Sequence, residues 1–282
     1  MTIPSSALGR LLRTPRGLGA AIVLAIIVLA AILAPVIAPY DYAAQNLRNA
    51  NMDPGALHWL GTDEFGRDLF SRIIYGARTS LAVGVTSISI SMVCGMALGA
   101  AAGYFGGAFD RVVTMVVDLS WSFPEILLAL ILIAILGPGL ASTMIAISIA
   151  YLAQFTRLTR AQVMALKSET YVEATISLGA GSGHVLFRHL LPNAVTPVIV
   201  AGMLATGDAI ILEATLGFFG LGAQPPTPSW GAMMSSGTAQ IFIAPWIIIF
   251  PGLAIAITVI AINLFGDALI DALDIRQRLR EG

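Results

Sequence analysis

Charge along this chain comes in short bursts between long apolar runs. A helix needs roughly 20 apolar residues to cross the ~30 Å hydrocarbon layer of a bilayer, and six stretches meet or approach that length. The first runs from Leu18 to Ala38. The second runs from Thr79 to about Ala102 and ends at Gly103, Gly106 and Gly107. The third, Val112 to about Leu136, is interrupted by Asp118 and Glu125, and the Gly137-Pro138-Gly139 turn separates it from a fourth at Leu140 to Phe155. The fifth runs from about Pro192 to Leu216 and the sixth from about Pro245 to Gly266. The pattern predicts an all-α integral membrane protein with six transmembrane helices and both termini on one side. The first run is too long, and too weakly followed by a cleavage site, to favour a removable signal peptide.

Lys and Arg decide the orientation, because cytoplasmic loops retain an excess of them. With the N-terminus inside, that face holds eleven, among them Arg10, Arg13, Arg16, Arg157, Arg160 and Lys167. The opposite face holds only Arg48, Arg67, Arg72 and Arg78. The termini are therefore expected to be cytoplasmic. Composition agrees with a bilayer: 57% of residues are hydrophobic and 11% charged, with a mean hydropathy of +0.86, more apolar surface than a soluble core would bury. A net charge of -1 excludes a nucleic-acid partner, which demands clustered cations. Cys94 is the single cysteine, so disulfides within the chain and cysteine-rich metal sites are excluded.

Against this background Tyr171 to Asn193, YVEATISLGAGSGHVLFRHLLPN, is a polar, glycine-punctuated island on the cytoplasmic side. Leu158 to Leu178 is built of helix formers, with Val172 and Ile176 one turn apart on one face. Gly179, Gly181 and Gly183 break the helix, Ser182 is a plausible cap, and Val185 to Leu191 predicts a second short helix before Pro192. Two short helices at a glycine corner form a knob suited to a cleft on a soluble partner. The same residues also read as an ordinary loop opened by a Thr170-x-x-Glu173 capping box. The GAGSG run is no phosphate loop, since no Gly-Lys-Ser/Thr follows and no strand precedes it. His58, His184 and His189 are too scattered for a metal or catalytic constellation. No catalytic residue, metal or cofactor is implied.

Glu173-Ala174, Gly179 and Leu191-Pro192 resemble the EAA signature of the permease subunits of binding-protein-dependent ABC importers. Thr175 stands where Ala is usual, and His189 stands where many members carry Ile. The phrase FRHLLPN is similar to the peptide-permease branch. LGTDEFGRDLFSRIIYGARTSL from Leu60, GYFGG from Gly103, LGPG from Leu136, LEATLGFFGLGAQPPTPSWG from Leu212 and APW from Ala244 resemble that branch too, and DALDIR from Asp271 resembles its C-type member. The resemblance implies that Glu173, Ala174, Gly179, Arg188 and His189 couple the chain to ATP hydrolysis. It further implies a homologous B-type permease subunit, two cytoplasmic ATPase subunits and an extracytoplasmic peptide-binding protein as partners in a bacterial inner membrane. Dipeptides or oligopeptides are the expected cargo, with glutathione or a nickel chelate as alternatives. The implied organisation is an N-terminal segment with the first span and outer loop (1–78), a permease domain (79–267) and a cytoplasmic tail (268–282).

Four carboxylates lie within the spans: Asp118, Glu125, Asp208 and Glu213. A charge at the bilayer centre costs roughly 3 kcal/mol or more, so such groups face a cavity or a partner. Either they line a translocation path or they pair with neighbours such as Arg111. They also suit a rival mechanism, an ion-driven secondary transporter, although such proteins usually carry internal repeats that this chain lacks. Gly95, Gly99 and Gly103 form a small-residue stripe for close helix packing, within the subunit or between subunits. Outside the membrane, the charged segment Pro39 to Arg78 is either a solvated loop or a docking rim. Trp230, behind Pro225, Pro226 and Pro228, is read as an interfacial anchor or part of a rigid constriction.

Overall fold

Thr14 sets the entry to the first long helix. In the computed structural model, which describes residues 5–273, its hydroxyl accepts from the Gly17 amide at 3.1 Å and donates to the Leu11 carbonyl at 2.9 Å. This cap separates α1 (Ser5–Arg13) from α2 (Pro15–Ile32), whose proline at the first helical position has no amide hydrogen to leave unsatisfied. Pro35 then splits the first predicted span, and a separate turn, α3 (Ala34–Ile37), follows a break at Leu33. Arg276, Arg278 and Arg280 of the expected cytoplasmic tail, and the end of the DALDIR phrase, lie outside the described residues.

The remaining helices are α4 (Leu69–Phe105), α5 (Gly107–Trp121), α6 (Glu125–Leu136), α7 (Leu140–Lys167), α8 (Thr170–Ser177), α9 (Ser182–His184), α10 (Leu191–Phe218), α11 (Trp230–Gly237) and α12 (Trp246–Ala272). No β-strand occurs among the described residues. Four helical stretches are long and apolar enough to cross a membrane by themselves: α2, α4, the run Ser182–Phe218 and α12. A fifth is counted only if α5 and α6 are one span, and these are bent by 97°. The third predicted run is thus not a straight helix. Ser122 closes α5, and Pro124 cannot donate to a continuing ladder and holds extended backbone. The fourth predicted run, Leu140 to Phe155, is the first half of the longer α7, which extends through Arg157 and Arg160 to Lys167.

Helix α4, about 55 Å long at 1.5 Å per residue, crosses α7 at its glycine stripe. A Cβ on Gly95 would lie 2.7 Å from the Phe155 Cβ, one on Gly99 2.3 Å from the Thr156 carbonyl oxygen, and one on Gly103 2.9 Å from the Arg160 carbonyl oxygen. The stripe therefore serves packing within the subunit. Gly99→Leu is expected to abolish accumulation of folded protein, read as loss of the monodisperse peak in detergent size-exclusion chromatography, because backbone oxygen cannot move aside. Around this crossing, Val83, Ile88, Ile147, Phe155, Val198 and Leu216 form the main apolar core of α4, α7 and α10, with Ala129 and Ile133 of α6 closing it.

Candidate functional site: a glycine-cornered knob and membrane-embedded carboxylates

At the end of the bundle where α4 finishes, α8 is fastened by one side. Val172, Val185 and Leu190 are fully buried against Ala100, Val163 and Ala194, which joins the knob to α4, α7 and α10. Glu173, Ala174, Ile176 and Arg188 are exposed, and His189 is half-buried. Val172 and Ile176, one turn apart, therefore divide the work: the first anchors the knob and the second faces outward.

Gly179 is the corner itself. The Gly179 amide donates to the Ile176 carbonyl at 2.9 Å, and the Ala180 amide reaches back to the Thr175 carbonyl at 3.2 Å. This paired closure ends a helix when the residue after its cap turns left-handed, and Gly179 has φ of +84°. A Cβ there would meet nothing within 4 Å, so conformation, not space, demands glycine. The corner throws Leu178 into solvent at 89% exposure, with Phe187 exposed nearby. The residue preceding α8 is Glu169, without a side-chain cap, so no Thr170-Glu173 capping box forms. The second short helix is the start of a 37-residue helical run, with Gly181 instead of Ser182 at its cap position. A π-helical turn at Val185–Leu190 lets the run pass into Leu191 and Pro192, since the widened turn relieves the clash proline makes with the preceding turn. The Asn193 side-chain amide donates to the His189 carbonyl at 2.7 Å. The His184 and His189 rings lie 5.3 Å apart, and among the described residues no group of three or more His, Cys, Asp or Glu is arranged to hold a metal.

The four membrane carboxylates occupy different settings. Asp118 is exposed and paired with Arg157, Nη2 to Oδ1 at 2.6 Å, while the same guanidinium lies 4.4 Å over the Trp121 ring. Its partner is thus Arg157 and not Arg111. Glu213 is sealed at 0% exposure. Ser80 and Ser229 are its polar neighbours, although neither carboxyl oxygen reaches hydrogen-bond geometry. Ser80 Oγ accepts from the Trp230 amide and Ser229 Oγ from the Ala232 amide, which leaves both hydroxyl hydrogens free to turn to the carboxyl. Glu125 and Asp208 differ from both: each is exposed on its helix and makes no ion pair among the described residues. Glu125 opens α6 at the bend, where it lines a cavity of about 250 Å³ with Ser120, Trp121, Phe123, Leu128 and Gln154. Glu125 and Asp208 both lie within electrostatic range of the buried Tyr151 hydroxyl. Sequence reasoning missed Tyr151 and Gln154, because one tyrosine and one glutamine on α7 carry no signal of the α6 turn that lies across them.

The opposite end of the bundle carries a folded cap. Asp63, 1% exposed, accepts from the Phe65 and Arg67 amides at 2.9 and 3.0 Å and from Arg67 Nε at 2.6 Å, with Arg72 Nε at 3.5 Å. Asp68 caps α4 by accepting from the Ser71 amide and hydroxyl at 2.8 and 2.7 Å, and its other oxygen meets His58 Nδ1 at 2.9 Å. Burial pushes the neighbouring Glu64 carboxyl above its usual range. From His58 to Arg72 the Pro39 to Arg78 segment is therefore folded and largely buried, whereas 39–57 is half-buried to exposed. Trp246 Nε1 donates to the Thr62 carbonyl at 3.1 Å, tying the cap to α12. Trp230, 1% exposed, donates to the Ile73 carbonyl at 3.0 Å. It is a packed core residue instead of an interfacial anchor, because its indole hydrogen finds a protein acceptor beneath the proline-rich loop.

Residues 95–279 match the family described as the binding-protein-dependent transport system inner membrane component, and residues 5–54 match the N-terminal transmembrane domain of oligopeptide transport permease C. The chain belongs to this family of inner-membrane permeases. It is 44% identical to the dipeptide transport system permease protein of Alkalihalophilus pseudofirmus over 253 residues, covering 90% of this chain and 83% of that one. It is 43% identical to the glutathione transport system permease protein of Pectobacterium atrosepticum over 268 residues, covering 94% and 88%. Its fold is similar to that of an inward-facing methionine ABC transporter, with a TM-score of 0.58 at 19% identity over 71% of this chain and 95% of the other. The protein is a multi-pass inner-membrane permease subunit of an ATP-driven importer, a class whose ATP hydrolysis resides in separate subunits and whose cargo arrives on a binding protein.

Proposed function

We propose that this chain is the C-type half of a peptide import path, paired with one homologous B-type permease subunit above two cytoplasmic ATPase subunits. The observation that carries the coupling role is the Gly179 corner, which holds Leu178 out for a partner while Val172 ties the same helix to the spans. In this reading Glu173, Ala174, Gly179, Arg188 and His189 form the ATPase-docking surface. Closure of the ATPase pair pulls α8, and the buried Val172–Val185–Leu190 contacts pass that movement to α4, α7 and α10. Access then alternates between two states of different cargo affinity. The termini and the knob lie in the cytoplasm, and six crossings result if the bent α5–α6 pair and α7 each count as one. The division into 1–78, 79–267 and 268–282 follows the same scheme.

Dipeptides or short oligopeptides are the proposed cargo, supported by similarity to the dipeptide permease across 90% of the chain. Glutathione is the second reading, supported by similarity to the glutathione permease across 94%. The docked binding protein would meet the folded cap around Asp63 and Asp68. Of the carboxylates, Glu125 and Asp208 are assigned to the path, because an exposed, unpaired carboxylate on a membrane helix is tolerated only beside water or a partner. Asp118 and Glu213 are assigned structural work, pairing with Arg157 and fastening α11.

The test is uptake of radiolabelled dipeptide by proteoliposomes holding the full importer and its binding protein. Uptake should follow ATP and be indifferent to proton or sodium gradients; uptake driven by an ion gradient without ATP would replace this reading with a secondary transporter. In the same vesicles, Glu125→Gln and Asp208→Asn are expected to lower uptake by about tenfold, one unit of 1.4 kcal/mol, with binding-protein-stimulated ATPase retained. Asp118→Asn should leave uptake within about twofold, since an exposed ion pair contributes little. Full uptake in the Glu125 and Asp208 variants would remove both from the path.

A further inference from the structure

Near the cap end, α2 and α4 flank an apolar groove of about 390 Å³. Its walls are Val28, Ala31 and Ile32 on α2 and Leu81, Ala82 and Val85 on α4, and Arg78 is the one charged side chain at its rim. The two helices run antiparallel here: Ile32, the last residue of α2, lies at the Arg78 level, and Val28 lies toward Val85. Arg78 is exposed and makes no ion pair among the described residues; its guanidinium lies 5.9 Å from the Tyr75 ring. Arg78 stands where the charge-free run of α4 begins, the point at which a spanning helix meets the headgroups. From there the groove descends seven residues, about 10 Å, into the acyl region.

We propose that the groove between α2 and α4 is a phospholipid site, with the lipid phosphate on Arg78 and one acyl chain along Val28, Ala31, Leu81 and Val85. The chemistry is complementary at both ends. The guanidinium matches the planar, bidentate geometry of phosphate oxygens, and the walls below it offer only carbon. The dimensions favour a lipid over a protein helix. A packed helix would follow α4 along its length, whereas the lining of this groove spans only about two turns, from Arg78 to Val85, and includes a charge that an apolar helix would leave unanswered. On the orientation proposed above the site lies in the outer leaflet, and only that leaflet assignment rests on the proposed function. The bound lipid would fix α2, and with it the Pro35 break and the start of the cap, against the helix whose far end meets the coupling knob.

The test uses the complete importer in phosphatidylglycerol nanodiscs containing a trace of phosphatidylglycerol with a photoactivatable acyl chain. Cross-linked peptides spanning residues 28–32 and 81–85 are quantified by mass spectrometry. Wild type should label both. Arg78→Gln should reduce that labelling by about tenfold, the size of one charge-assisted hydrogen bond. Ala82→Phe, which fills the groove and keeps the arginine, should reduce it comparably, while labelling around the exposed Ile257 of α12 stays unchanged in both. Binding-protein-stimulated ATPase reports that each variant is assembled; if Ala82→Phe fails to assemble, Arg78→Gln decides alone. Labelling equal to wild type in Arg78→Gln overturns the proposal. So does disulfide cross-linking of Ala82→Cys to a cysteine on the second permease subunit, which would make the groove a protein interface. Neither result bears on whether the importer moves peptides.

Discussion

Asp63→Ala is expected to melt the cap of the importer at a temperature far below the rest of the bundle. The carboxylate is almost wholly buried and receives two backbone amides, the Arg67 side chain and, more distantly, Arg72. Its removal takes away the carboxylate nearest both guanidiniums and leaves them only the more distant Glu64, and breaking a buried pair from one side typically costs about 3–5 kcal/mol. That is a large share of the stability of any domain. Asp63→Asn should be milder, since the amide oxygen still accepts from the Phe65 and Arg67 amides while the charge is lost. Glu64→Gln should be mildest, because Glu64 sits 3.8 Å from Arg67 and is only partly buried. Tryptophan fluorescence follows the melt directly, with Trp59 packed on Phe70 and Trp246 bonded to Thr62 at the cap. Equal melting temperatures for wild type and Asp63→Ala would mean that the charge network does not hold the cap.

Gly179→Val is expected to separate ATP hydrolysis from transport. The position needs φ of +84°, and a β-branched residue in the left-handed region stores about 1–3 kcal/mol of strain. Because nothing lies within 4 Å of the added Cβ, the strain is relieved only by turning the backbone, which withdraws Leu178 and breaks the closure between Ala180 and Thr175. Transport per ATP hydrolysed should fall by about tenfold or more, with membrane insertion unchanged, since Val172, Val185 and Leu190 remain packed. Gly179→Asn is the discriminating control, because asparagine tolerates left-handed backbone and should keep transport within about twofold. If bulk alone mattered, through a partner seated at the corner, asparagine and valine would be equally damaging. Equal transport in wild type and Gly179→Val would reject the corner as a coupling element.

These outcomes draw on information of different origins. The glycine corner was legible because Gly179 is a local requirement: a single residue has to turn left-handed, and its neighbours in sequence are its partners in the closure. The span count was only partly legible. Hydropathy places apolar segments, yet it does not see that Ser122-Phe123-Pro124 turns the chain by 97°, nor that the turn at Val185–Leu190 absorbs the proline that was expected to separate two helices. The carboxylates were legible as a set and not as individuals. Asp118 and Arg157 are thirty-nine residues apart, so their pairing depends on α5 lying against α7. Trp230 carried a misleading signal, since a tryptophan at the end of an apolar run resembles an interfacial anchor until α4 is found to accept its indole hydrogen.

The sequence by itself determined the membrane class, the family and the position of the knob. Each rests on composition, hydropathy over roughly one span, or motifs in consecutive residues, all of which survive any arrangement of the helices. Only the tertiary structure decided that the glycine stripe of α4 meets α7 within the subunit, that Asp63 and Asp68 form the interior of a folded cap, and that Glu213 is sealed while Glu125 and Asp208 stay exposed. The physical reason is that burial and pairing belong to the spaces between elements. A carboxylate has the same chemistry wherever it stands in a sequence, and its work is chosen by the helix that packs against it.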